Sequence, residues 1–144
     1  MGTNTMRSPI LDGEYHVRLD EKRRLLVPPD LLHRLDPADT TIYLRFAREA
    51  IDLYPGQCVR EVLGGIDVPD DATLRLHFGT VWKATRDVTG RIAIPEELLR
   101  LAGISMTEAL VLIGLRDHLE LTTQTHWDGA RARLLGRFCD SQSQ

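Results

Sequence analysis

The chain contains itself twice. Setting YHVRLDEKRRLLVPPDLLHRL (residues 15–35) over WKATRDVTGRIAIPEELLRLA (residues 82–102) at an offset of 67 pairs Tyr15 with Trp82, Asp20 with Asp87, Arg24 with Arg91 and Pro28 with Pro95. The leucine pair Leu31–Leu32 falls on Leu98–Leu99. With one extra residue in the second copy, TIYLRFAREAIDLY (41–54) then corresponds to EALVLIGLRDHLEL (108–121), an apolar strand, a charged link (Arg48-Glu49 or Arg116-Asp117) and a second strand. A self-similar chain is one supersecondary unit used twice. One copy is too small to bury a stable core, whereas two can share one about a pseudo-twofold axis.

Each copy reads as strand, charged turn, short strand, short helix, two strands and a longer helix. The strands are short apolar or alternating runs, among them Leu25–Val27, Ile42–Phe46, Ile92–Ile94 and Leu110–Ile113. Pro28, Pro29 and Pro95 mark helix starts, because the first turn has spare N–H groups and proline lacks one. Gly103 reads as the stop of the second short helix. Two glycines, one proline and three acids between Gly64 and Asp71 divide the copies. The expected architecture is α+β with a mainly β core: two tandem repeats forming a small pseudo-twofold β-barrel with peripheral helices. The first repeat spans 12–65, a linker with a short strand 66–79, the second repeat 80–138, and a polar tail 139–144.

Composition narrows the function classes. At 144 residues, with 42% hydrophobic and 27% charged residues, the chain has the balance of a soluble globular protein. It has no apolar run of membrane-spanning length and no apolar signal-peptide core before Pro9, so a cytoplasmic location without a membrane partner is expected. Cys58 and Cys139 read as two reduced thiols, each in a helical region. The histidines at 16, 33, 77, 118 and 126 have neither the pairing nor the cysteine partners of a zinc site. No phosphate-binding glycine loop or nucleophile elbow is present, so no cofactor or metal is implied.

Net charge is −3, yet it is unevenly spread. From His16 to Leu25, Arg18, Lys22, Arg23 and Arg24 outweigh Asp20 and Glu21. From Lys83 to Arg91, Lys83, Arg86 and Arg91 outweigh Asp87, while acids dominate between Arg48 and Asp71. Of 18 basic residues only Lys22 and Lys83 are lysines. That preference suits bidentate contact with guanine or phosphate, and a GC-rich genome produces it equally.

The two basic stretches share Asp-x-x-x-Arg at equivalent positions. In the second, Asp87 can accept backbone N–H groups of a turn, Gly90 can supply a positive φ, and Arg91 starts the next strand and projects from its rim. The aspartate can also hold the guanidinium by a charge-assisted bond. In the first copy Arg23 stands where the second has glycine. A non-glycine residue in the left-handed region costs roughly 1–2 kcal/mol. Either the first turn has another shape, or the added charge offsets the cost at a binding surface.

GEYHVRLDEKRRLLVPPDLL (13–32) resembles the opening of MraZ proteins, transcriptional regulators of the bacterial division and cell-wall gene cluster, which begin Gly-Glu-Tyr, then Leu-Asp-x-Lys-Gly-Arg and an apolar run ending in proline. DVTGRIAIPEELLRLAGI (87–104) resembles the family's second Asp-x-x-Gly-Arg motif and the helix after it. DLYP (52–55), VLIGLRDHLEL (111–121) and Trp127 follow in order, so the likeness runs from Asp12 to Leu135. Arg23, HFGT (77–80) in place of Phe-Ser-Gly-Ala, and the glycine-free LRFAREA depart from the pattern.

The resemblance implies tandem AbrB-like swapped hairpins, a homo-oligomeric ring (an octamer or dodecamer), and binding to short direct repeats in double-stranded promoter DNA. It implies a nucleoid-associated repressor acting on a division and cell-wall cluster that includes its own gene. The candidate DNA contacts are Arg24 and Arg91, with Arg18, Lys22, Arg23, Lys83 and Arg86; Asp20, Asp87 and Gly90 brace the turns.

Two other readings compete. One is a ring-forming interaction module that has lost operator binding. The other is an aspartic-type hydrolase, because DVTG resembles the Asp-Thr-Gly loop in which two carboxylates share a proton. The extra Val88, the DEKR of the first copy and the neighbouring arginines oppose the hydrolase, so a non-enzyme is expected. Trp82 and Trp127 read as core or interface anchors, and Arg131, Arg133 and Arg137 as an exposed helix face.

Overall fold

The computed structural model describes residues 10–56, 58 and 81–142, with side chains of the last helix as far as 137. The expected linker, HFGT and most of the helix expected after Tyr54 lie outside the described residues. What is described is α+β and mostly antiparallel: β1 (Glu14–Val17), β2 (Arg24–Leu26), α1 (Pro29–Leu32), β3 (Thr41–Phe46), β4 (Ala50–Pro55), β5 (Val81–Thr85), β6 (Arg91–Ala93), α2 (Glu96–Leu101), β7 (Leu110–Gly114), β8 (Leu119–Thr123) and α3 (Gln124–Gln142). Pro29 occupies the first helical position of α1, and Pro95 precedes α2. Gly103, at φ +70°, follows the end of α2 in the left-handed conformation that a glycine stop supplies.

The strands form two sheets. Six run in the order β1-β7-β8-β4-β3-β5, and β2 pairs with β6 as a separate ribbon. The hydrogen-bonded order ends at β1 and β5 without closing, so the described residues form an open sheet faced by a ribbon, not the expected closed barrel. Among the described residues, β1 and β5 each have one strand partner, β7 and β3.

The repeats exchange their first strands. β1 of the first copy pairs with β7 of the second, and β5 of the second pairs with β3 of the first. The registers match: Tyr15 lies opposite Leu112, and its equivalent Trp82 opposite Leu44. Ile51 lies opposite Leu121 and Leu53 opposite Leu119. The pseudo-dyad therefore passes between Asp52 and Glu120, which face each other across β4 and β8. In the ribbon it passes between Leu25 and Ile92.

Period-2 patterning builds the core from these strands. Leu44, Ile51, Leu53, Leu112, Leu119 and Leu121 of the sheet, Leu25 and Ile92 of the ribbon, and Leu31 and Leu98 of the short helices belong to one buried cluster. Neither copy could assemble it alone, since sheet, ribbon and cluster all draw on both. α3 packs against β7 and β8. Cys58 is buried. Among the described residues no helix is long and apolar enough to cross a membrane.

Candidate nucleic-acid interface

The two Asp-x-x-x-Arg segments fold into the same turn. In the first, Asp20 Oδ1 accepts the backbone N–H groups of Lys22 (2.9 Å) and Arg24 (2.8 Å). In the second, Asp87 Oδ1 accepts those of Thr89 and Arg91, both at 2.9 Å. The backbone bonds repeat as well: Arg23 N–H to Asp20 O and Asp20 N–H to Arg24 O, matched by Gly90 N–H to Asp87 O and Asp87 N–H to Arg91 O. The turns also lock into each other's strands, Val27 N–H donating to Gly90 O and Ile94 N–H to Arg23 O, each at 2.9 Å. Both carboxyls are held below their ordinary pKa, each first by the backbone N–H of its own arginine.

Arg23 takes the left-handed conformation that Gly90 takes in the second copy. Its φ is +59°, inside the small αL region open to L-residues, whereas Gly90 sits at +89°. The first turn thus keeps the hydrogen bonds of the second while relaxing φ into the well a side chain tolerates. Arg23 is exposed and Gly90 buried, where a Cβ would meet Leu32 Cδ2 at 2.8 Å.

The arginines are braced differently. Arg24 Nε donates to Asp20 Oδ2 at 2.7 Å, and the arginine side chain is partly exposed. Arg91 Nη1 donates instead to Thr89 Oγ1 at 2.7 Å, and that hydroxyl donates to Asp87 Oδ1, also at 2.7 Å. The direct Asp-to-Arg brace expected in both copies exists in the first; in the second a threonine relays it.

Alternation along the ribbon turns Leu25 and Ile92 inward and puts Arg24, Leu26, Arg91 and Ala93 on the outer face. Arg24 lies opposite Ala93 and Leu26 opposite Arg91, so the two arginines stand diagonally, roughly 8 Å apart at Cα by strand geometry. Lys22 and Arg23 flank them on the first turn. Arg18 is exposed just beyond β1, and Lys83 is exposed on β5, both at the sheet's edges and off the ribbon.

Arg86 stands apart from the rest. It is only 7% exposed, and its Nη2 donates to the carbonyls of Asp36 (2.7 Å) and Asp39 (3.1 Å). It ties the second repeat's turn to the loop after α1 and does not join the exposed basic set. Position in a basic stretch could not reveal this, because the carbonyls that bury it lie 50 and 47 residues away.

A second constellation escaped the reading of motifs. Asp52, 5% exposed, accepts from Arg45 Nη2 at 3.1 Å, and the same nitrogen donates to Tyr54 Oη at 3.0 Å. The His118 ring stacks on Tyr54 at 4.5 Å and bonds Asp117 Oδ1 through Nδ1 at 2.6 Å. Burial, then the charge of Asp52, raises the pKa of Glu120. The repeat offset would have found this acid pair, since with the one extra residue of the second copy it maps residue 52 onto residue 120. No cluster of three metal-ligating side chains occurs among the described residues.

These features define a two-repeat α+β protein that shares one core and presents a cationic β-ribbon. Asp20 and Asp87 are each engaged by their own turn with a lowered pKa, opposite to the raised value a proton-sharing dyad requires of one member. No family model matches the chain. It is 30% identical over 122 residues to the transcriptional regulator MraZ of Dictyoglomus turgidum, covering 81% of each. The Dictyoglomus thermophilum protein of the same name is 28% identical over the same length. That of Thermus thermophilus is 24% identical over 131 residues, covering 87% of this chain and 90% of the relative. The chain belongs to the MraZ family, whose members are named transcriptional regulators and not enzymes.

Proposed function

We propose that the chain is a sequence-specific DNA-binding regulator that engages double-stranded promoter DNA with the outer face of the β2–β6 ribbon. The observation that carries this reading is the diagonal pair Arg24 and Arg91 on an exposed two-stranded ribbon, with Lys22 and Arg23 beside them. A major groove about 12 Å wide admits such a ribbon. Partly exposed arginines on the ribbon's outer face can read guanine, while the first turn's cations neutralise phosphates. Arg18 and Lys83 extend the contact along the backbone.

In finer detail, the chain is a repressor at short direct repeats upstream of a division and cell-wall cluster that includes its own gene. It acts on the nucleoid as a homo-oligomeric ring of AbrB-like swapped-hairpin subunits. The strand exchange and matched turns support the hairpin assignment. A ring also accommodates a net charge of −3, because several equivalent ribbons on spaced repeats bind by avidity.

The test is fluorescence anisotropy on the DNA upstream of the gene against scrambled DNA, over a range of salt. The wild-type chain is expected to prefer the upstream duplex, and Arg24→Ala with Arg91→Ala to lose that preference, each base-reading arginine contributing about 1–3 kcal/mol. Equal binding by the double variant defeats the assignment. A steep salt slope without sequence preference leaves only a generic basic surface. Light scattering after size exclusion tests the ring.

A further inference from the structure

Val88 sits at the tip of the second turn and is 98% exposed, the most exposed large apolar side chain among those described. Turn tips favour residues that hydrogen-bond locally or adopt positive φ, and a β-branched side chain does neither. None of the described residues covers it. The first turn, with the same hydrogen bonds, carries Glu21 at this position, followed by Lys22 and Arg23 where the second has Thr89 and Gly90. Charge is therefore concentrated on one turn, while the other offers methyl groups beside Arg91. Around the Asp-x-x-x-Arg frame, the first turn suits phosphate and the second an apolar feature of a base edge. In the major groove that feature is the thymine 5-methyl.

We propose that Val88 is a specificity-determining residue whose methyl groups meet a thymine 5-methyl next to the base read by Arg91. This rests on the DNA-binding reading above. The pseudo-symmetric ribbon then reads its two ends unequally, so each chain binds with a defined direction along the duplex.

The probe is a duplex selected from a random pool by the full-length chain. Each of its thymines is replaced in turn by deoxyuridine, which removes the methyl and keeps every hydrogen-bonding group. Replacement at one or two positions is expected to weaken wild-type binding about fourfold, the worth of one buried methyl. Val88→Ser is expected to bind the thymine duplex more weakly by a similar factor and to be indifferent to the same replacement. Its salt slope and melting temperature should equal those of the wild type, because the side chain bears no charge and is 98% exposed. A wild-type chain indifferent to every replacement overturns the assignment, as does a Val88→Ser variant that stays as sensitive as the wild type; the DNA-binding reading survives either result. Failure to select any sequence, together with unchanged binding by the Arg24/Arg91 double variant, overturns both.

Discussion

The two turns of the ribbon share a backbone and differ in nearly every side chain that faces outward. Asp20 and Asp87 organise them identically, down to the reciprocal bonds Val27–Gly90 and Ile94–Arg23. Yet the first adds Lys22 and Arg23, and the second adds Val88 and Thr89 to a buried glycine. Hydrogen-bonded scaffolding depends on the backbone and one carboxylate, so it survives divergence of the tip residues. What the tips carry is then free to follow binding. The first turn holds Arg23 at a left-handed φ of +59° and so carries one more cation.

The pairing at the centre of the ribbon is where symmetry has the most to lose. Leu25→Ala and Ile92→Ala each remove a buried side chain on the pseudo-dyad and should each cost about 2–5 kcal/mol in urea unfolding. Similar losses support a core shared equally; a loss confined to one variant breaks the equivalence of the repeats.

Gly90→Ala tests the closed side of the comparison. The new Cβ would stand 2.8 Å from Leu32 Cδ2 at a φ of +89°, and a loss of about 1–2 kcal/mol is expected by thermal or urea unfolding. Arg23→Gly tests the open side with the opposite sign. Relief of the left-handed arginine should raise stability by up to about 1 kcal/mol while DNA affinity and the salt slope both fall. A variant that gains stability with unchanged affinity would show that the added charge contributes nothing to binding.

The smallest expected effect lies on the sheet's dyad. Burial and Asp52 raise the pKa of Glu120, so the folded chain holds that proton more tightly than the unfolded chain. Stability is then lost as pH rises from the ordinary glutamate range, about pH 4, through the raised value. Glu120→Gln should stabilise the chain at pH 7 by under about 1 kcal/mol because the group is half exposed, read as a higher melting temperature, and the gain should vanish below about pH 4. A gain that persists in acid would point to packing as its cause.

Much of this was legible from one offset. Aligning the chain with itself located both turns and both proline-started helices, and the runs 25–27, 42–46, 92–94 and 110–113 match β2, β3, β6 and β7 to within a residue at each end, because period-2 apolar patterning and proline chemistry are local. The role of the aspartates was legible for the same reason: a carboxylate accepts N–H groups two and four residues away. Arg86 and the Arg45–Asp52–Tyr54–His118 group were not, since their partners come from other strands and loops. Closure of the sheet was also not legible, because it depends on which edges meet.

The sequence by itself determined that there are two equivalent units, that each carries an aspartate-organised turn leading into an arginine, and that the chain is related to MraZ proteins. The first two conclusions need only local chemistry and self-comparison; the third rests on motifs that resemble the family's. Tertiary structure alone decided that the units exchange their first strands, that Arg24 and Arg91 stand diagonally on one ribbon, and that Arg86 is buried. It also decided that Arg23 keeps the turn of its glycine counterpart, at a φ that an L-residue can hold. Each of these depends on contacts between the two copies, and a contact between distant segments has no signature in either segment alone.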